Sequence, residues 1–177
     1  PLRQLATKKY YNHEGAFYPE TMNFWGTYTD QNYGTNREQM PDGLTQNTYI
    51  RYYWTGGLEL SAMMIDYYEF TRSQLFARDT LIPIVREVLE FYDKHWRRDI
   101  EGKILFTPAQ SLETYQTAVN PTPDLAGLRF VIGKMLHIKD IQISPELRQQ
   151  WEALLSSVPK IPVREVNGVQ VIAPAAY

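Results

Sequence analysis

In a chain without cysteine, acid–base chemistry falls to carboxylates set among hydroxyls and amides. The stretch FTPAQSLETYQ, Phe106 to Gln116, holds one such group. Glu113 is flanked there by Thr107, Gln110, Ser111, Thr114 and Gln116, in turn-prone sequence that follows the strand-like run KILF. A loop carboxyl is either a solvated charge or a positioned proton donor, and loops carry function more often than their share of the chain would suggest. Cleaving a glycosidic bond takes two carboxyl groups, one protonating the leaving oxygen and one acting on water or carbon. The neighbours of Glu113 are of the kind that bind sugar hydroxyls. Glu20, in FYPET, is a second candidate in an aromatic-rich segment. Glu59 lies inside an apolar helical run, where a carboxylate must face a cavity or find a partner. Asp66 and Glu69 read as helix-surface or ion-pairing residues.

Other chemistries find little support. There is no phosphate-binding glycine loop, no HExxH and no GxSxG. The histidines His13, His95 and His137 are scattered, so we expect no metal site, and acid–base hydrolysis needs no cofactor. His95 falls on an apolar stripe and reads as a core histidine. With no cysteine there are no disulfides and no thiolate. A net charge of -2 with 21% charged residues offers no basic patch for nucleic acid. No apolar run approaches the roughly 20 residues needed to span a bilayer. The 13 Tyr, 7 Phe and 4 Trp suit both a large core and a carbohydrate surface, since Tyr and Trp pair an apolar face with a polar handle. Trp25 and Trp54 are the candidate stacking platforms.

These residues must be positioned by elements that the pattern predicts to be helical. Pro1 to Lys9 reads as the end of a helix. Residues 10–43, poor in aliphatics and rich in Tyr, Asn, Gly and Thr, form a long irregular segment of the sort that is usually functional. A helix follows from about Asn47 to Thr71, with Leu60, Met63, Met64, Tyr67 and Phe70 on one stripe and Leu58, Ala62 and Ile65 opposite, which predicts burial on both sides. Gly56 and Gly57 mark its true start or a close backbone approach. A second helix, about Thr80 to Trp96, has Asp79 as N-cap, Pro83 in its first turn, an inward stripe of Leu81, Ile84, Val85, Val88, Tyr92 and His95, and a wet face that includes a Glu90–Lys94 pair. Asp124 to His137 is a third helix, and Ser144 caps a fourth that starts at Pro145. VREVNGVQVI reads as a hairpin about Asn167-Gly168. The fold class is therefore mainly α, with helices paired into an inner and an outer layer.

Three stretches in order, GAFYPETMNFWG (Gly15 to Gly26), WTGGLELSAMMIDYYEFTRS (Trp54 to Ser73) and TPAQSLET (Thr107 to Thr114), resemble the catalytic domain of glycoside hydrolase family 95, the α-L-fucosidase type. The resemblance implies an (α/α)6 toroid, of which residues 1–177 would be a part, and inverting hydrolysis of a terminal sugar. By its motif SPSxSPEN it places Glu113 at the general acid. Glu20, Thr21 and Asn23 stand where the family has the His, Asn and Asp that shape the sugar pocket. Glu59 stands where an aromatic is usual, and Leu112 and Thr114 replace a Pro and an Asn beside the acid. The implied sugar contacts are Glu20, Asn23, Trp25, Trp54, Glu59, Thr107 and Gln110. The implied partners are a carbohydrate substrate and the rest of the domain, which would hold the base. The implied location is secreted or periplasmic in a bacterium. A non-catalytic glycan-binding protein on the same toroid and an (α/α)6 lyase using Tyr115 or His13 are the alternatives.

Overall fold

The computed structural model describes residues 1–177, with every side chain but that of Asp30. In chain order its elements are α1 (Leu2–Tyr11), α2 (Asp30–Tyr33), α3 (Gly56–Thr71), α4 (Gln74–Phe76), a π-helical turn (Ala77–Leu81), α5 (Ile82–His95), α6 (Thr122–His137), α7 (Pro145–Ser157) and an antiparallel hairpin of β1 (Val163–Val166) and β2 (Val169–Ile172). The protein is mainly α, as its sequence predicts.

Two helical hairpins organise it. From α3 the chain turns through Arg72, in the left-handed region, and returns along α5. The second hairpin is α6 and α7. The Arg148 guanidinium at the start of α7 donates to the Leu136 carbonyl at the end of α6. The Arg129 guanidinium, midway along α6, donates to the Val158 and Pro159 carbonyls just beyond α7. Helices α3 and α6 pack on each other and run parallel. Thr55 and Pro123 line one cleft at their starts, and Lys134 pairs with Glu69 at 2.8 Å towards their ends. Helices α5 and α7 share an outer groove of Arg86, Leu89, Glu90, Leu147, Trp151 and Leu154.

Leu125, Leu128, Val131, Ile132 and Met135 of α6 are all buried, as their spacing predicts. Of the expected wet face of α5, Arg86, Asp93 and Lys94 are exposed and Lys94 pairs with Glu90 at 2.8 Å, whereas the Glu87 side chain is only 13% exposed beside Arg86. The Ser144 hydroxyl accepts from Leu147 N–H, and Asn167 and Gly168 hold the φ values of 52° and 79° that a type I′ turn needs. The hairpin itself stands out from the core.

The reading of α3 is corrected in two respects. It starts not near Asn47 but at Gly56, the true start and the close backbone approach that its glycines mark. Its buried stripe is Gly57, Leu58, Ser61, Met64, Ile65 and Tyr68, while Met63, Tyr67 and Phe70 face outward, Phe70 at 91% exposure. An all-round apolar helix has no preferred face. Close packing decides it, because a Cβ on Gly57 would lie 3.1 Å from Val88 Cγ1, so glycine there lets α5 approach closely. The second helix also begins earlier than its pattern suggests. Ser73, not Asp79, accepts from the N–H three residues on, at Phe76, and Asp79 lies inside the π turn bound to Arg78. That turn bonds Ile82 N–H to the Ala77 carbonyl, one residue further back than α geometry. It sits immediately before Pro83, where a regular helix would clash with the proline ring.

Between α1 and α5 lies an aromatic knot of Tyr11, His13, Phe17, Trp54, Phe91 and His95. The Glu14 carbonyl can only accept, so His13 Nδ1 donates to it at 2.7 Å. With His13 neutral, its Nε2 accepts from His95 Nδ1 at 2.9 Å. Burial, then the neighbouring His13, lower the His95 pKa to about 3.

Two outcomes follow for stability. A Cβ on Gly56 would lie 2.6 Å from the Tyr18 carbonyl oxygen, whereas one on Gly133 of α6 meets nothing. Gly56→Ala should cost about 1–3 kcal/mol by overpacking, and Gly133→Ala should gain up to about 1 kcal/mol of helix propensity, both read from urea unfolding. His95 stays neutral when folded but takes up a proton when unfolded below about pH 6.5. The unfolded chain then binds more protons at this site, so the His95 contribution to stability should fall with acidification from about pH 6.5 towards about 3, and His95→Phe should lose less stability than the wild type over that range.

Candidate active site

The N-terminal ends of α3 and α6 meet at a cleft of about 340 Å³ lined by Thr55, Glu59, Pro123, Ala126, Gly127 and Phe130, among others. Each helix carries a carboxyl in its first turn, Glu59 on α3 and Asp124 on α6, where the positive end of the macrodipole favours negative charge. Glu59 Oε1 accepts from the Tyr53 and Thr55 hydroxyls, both at 2.9 Å. Glu59 thus has partners and borders the cleft. It satisfies both conditions that its position in an apolar run imposes.

The carboxyl that the sequence does not single out is Asp124, fully buried at the back of this junction. Its Oδ1 is 2.8 Å from the Tyr92 hydroxyl, which is also 2.8 Å from the Trp54 carbonyl. Asp124 Oδ2 is buried with no partner among the described residues. Burial first, and then the charge of Glu59, raise the Asp124 pKa to about 7, against a partial pull downward from Tyr92. The Asp follows Pro121, Thr122 and Pro123, so it reads as an ordinary helix-start acid. Only the partner Tyr92, 32 residues away, makes it more than that.

The loop after the first hairpin packs against the segment leading into α3. Gln110 Oε1 accepts from Tyr52 N–H at 2.7 Å, and its amide donates to the carbonyls of Tyr49 and Leu112. The Trp54 indole donates to the Pro108 carbonyl at 3.0 Å, and the Thr107–Pro108 peptide is cis. Ser111 donates to the Pro174 carbonyl, which brings the C-terminal segment onto the same loop. Glu113 sits at the exposed turn between Leu112 and Tyr115, where Tyr115 N–H bonds the Leu112 carbonyl at 2.9 Å. Its turn is therefore tied to residues 49–54 and so to the start of α3.

The aromatic segment supplies a second feature. Residues 22–28 form a tight loop in which Asn23 N–H bonds the Thr27 carbonyl and the Asn23 amide donates to the Tyr28 carbonyl. Arg3 of α1 clamps it, donating to the Gly26 carbonyl at 3.0 Å and to Phe17 at 2.7 Å. Trp25 stands on this loop, 72% exposed, with its ring centroid 5.1 Å from that of Phe24. Glu20 is exposed just after Pro19, whose carbonyl, with that of Tyr18, abuts Gly56 at the start of α3.

Two residues expected at the sugar are instead internal. Trp54 is 2% exposed, surrounded by the rings of Tyr11, Phe17, Phe91, His95 and Trp96, so it has no free face for stacking. Gln110 is 1% exposed with its amide fully engaged. Both are structural because the loop they hold has no regular element to satisfy its backbone. Thr107 remains half-buried beside Pro108. Of the residues that could serve a lyase, His13 has both ring nitrogens engaged. Among the described residues no group of three or more His, Cys, Asp or Glu could hold a metal, and no helix is long and apolar enough to cross a membrane.

The family model described as the glycosyl hydrolase family 95 catalytic domain matches residues 2–170, a span that takes in every candidate above. A search of the curated proteins found no match.

Gln110→Ala should cost about 1–3 kcal/mol by leaving Tyr52 N–H and the Tyr49 carbonyl unpaired. Protection of the Tyr52 amide in hydrogen exchange reads that loss, and unchanged protection would mean that the clamp contributes nothing.

Proposed function

Because the chain belongs to glycosyl hydrolase family 95, we propose that it acts on a terminal sugar of a poly- or oligosaccharide by inverting hydrolysis, with Glu113 as general acid. The observation that carries this reading is the family match over residues 2–170, with Glu113 on a turn clamped to the segment that starts α3. Trp25 offers its indole face to a sugar ring, and Asn23 holds that loop in shape. Glu20 and Glu59 accept from sugar hydroxyls, each near the start of α3, and Thr107 does so from the loop before Glu113. Glu59 serves binding better than water activation, since Oε1 is already oriented by two hydroxyls while Oε2 has no bond among the described residues. An α-L-fucosidase-like specificity follows from the family type alone. We further propose that α3 and α6 are inner helices of an (α/α)6 toroid, whose other helix pairs would cover the outward Met63, Tyr67 and Phe70. A glycan polymer as substrate fits a secreted or periplasmic location.

A second reading, a glycan-binding protein without turnover, is favoured by the open Trp25–Phe24 pair and by the exposure of Glu113. One pair of variants separates the two. General acid help is worth about 10²–10⁴-fold, so Glu113→Gln should lower turnover of an aryl or oligosaccharide substrate by that factor and leave its binding intact. Trp25→Ala should weaken binding by about 1–3 kcal/mol, the scale of losing a large exposed aromatic contact. Turnover unchanged in Glu113→Gln would remove Glu113 as the acid. An absence of turnover in the wild type, with binding lost in Trp25→Ala, would favour the binding protein.

A further inference from the structure

We propose that Asp124 is a positioning residue that keeps its proton in the resting fold, and that losing this proton loosens the junction that sets the first turn of α3 and with it Glu59. The first half stands on geometry alone, and the second rests on the reading of Glu59 as a sugar contact.

Counting hydrogens leads to the proposal. The Tyr92 hydroxyl lies 2.8 Å from two oxygens, the Trp54 carbonyl and Asp124 Oδ1. A phenol has one hydrogen to give. The Trp54 carbonyl can only accept, and among the described residues Tyr92 is its donor. With Tyr92 donating to that carbonyl, the contact to Asp124 is a hydrogen bond only if Asp124 donates to the phenol oxygen. A protonated Asp124 completes both bonds. An ionised one forces Tyr92 to abandon a carbonyl or a carboxylate, each buried, and leaves Oδ2 charged with no partner. Leaving a buried group unpaired costs more than an average hydrogen bond contributes.

The surroundings favour the proton too. Facing Asp124 are Tyr92 from α5, Glu59 from α3 and Tyr53 from the segment before it. None is a cation, and neither Asp124 nor Glu59 takes part in an ion pair among the described residues. Burial and the Glu59 charge raise Asp124 to about 7. Between the ordinary carboxylate value near 4 and 7, the folded chain holds one proton more than the unfolded chain, so stability falls as pH rises through that window. His95 acts with the opposite sign between about 3 and about 6.5, so the two contributions oppose each other over most of that window.

Trp54 is the residue before Thr55, whose hydroxyl orients Glu59. The shared proton therefore reaches the cleft through two residues of backbone. Asp124 touches no substrate itself.

The test is a carboxyl ¹³C titration of the protein from about pH 4 to about pH 9, with Asp124→Asn giving the assignment and Glu59→Gln as the second variant. Asp124 is expected to titrate near neutrality, and its midpoint should move down in Glu59→Gln, where the repelling charge is gone. The Trp54 amide and Glu59 carboxyl signals should shift with the same midpoint. Titration of Asp124 in the ordinary range, or flat Trp54 and Glu59 signals across its midpoint, overturns the proposal. Should Asp124→Asn not fold, Tyr92→Phe provides the control: without the hydroxyl that joins Asp124 to the Trp54 carbonyl, the Trp54 amide signal should no longer follow the Asp124 midpoint, and one that still follows it also overturns the proposal. These signals need no sugar. They stand if the glycan reading fails, and in that case Glu59→Gln would leave binding unchanged while still moving Asp124.

Discussion

The Tyr92 hydroxyl is a polar group that links three helices. It is buried, and a buried hydroxyl must be hydrogen-bonded or it costs more than the ring beneath it contributes. Its partners come from the entry to α3 and the first turn of α6, and Tyr92 itself rides on α5. Apolar contacts hold these helices together but are non-directional and would permit sliding. A single hydroxyl bonded on two sides fixes how far each helix advances along its neighbour. The parallel alignment of α3 and α6 follows from it, with the Glu69–Lys134 pair matching at the other end.

That alignment decides where chemistry can sit. Two parallel helices present two N-termini at one end, with their unpaired N–H groups and positive dipole ends together. Acids in the first turns are favoured there, and the irregular segments that cap the helices gather at the same place. Residues 15–21 lie against Gly56, the loop 107–116 is clamped to residues 49–54, and the C-terminal segment closes over Ser111. The opposite ends have paired surface charges and little irregular chain. In a glycoside hydrolase family 95 chain the sugar-facing side groups are expected where loops and first turns converge.

How much of this was readable depended on whether the signal was local. The Ser144 cap, the Asn167-Gly168 turn and the α6 stripe each rest on neighbours within a few residues, and each is found as read. The α3 stripe was not readable, because Leu, Met, Ile, Tyr and Phe recur on every side and the close approach of Val88 to Gly57 is a contact between elements remote in sequence. The start of the second helix was hidden by Pro83, which marks a first turn in most helices but here follows a π turn. At the site, the carboxyls were legible by type, and their partners were not. Trp54 looked like a platform because nothing in its sequence neighbourhood reveals five surrounding rings. Asp124 looked ordinary because Tyr92 is remote in sequence.

The exposure of Glu113 bears on how such a group could act. A carboxyl keeps its proton near neutral pH only when burial or a neighbouring negative charge disfavours the ionised form. Glu113 stands on an exposed turn, where low-dielectric surroundings would come from whatever covers it. A bound glycan does this in part, since the face of a sugar ring is largely C–H. Further protein around the turn does it more completely. Asp124 is the reverse case: a carboxyl with the burial and the like-charged neighbour that an acid requires, and no access to substrate. The separation of these two properties onto two residues means that residues 106–124 hold a reachable group and a tuned group, joined through the 49–54 segment, to which Gln110 ties the first and Tyr92 the second.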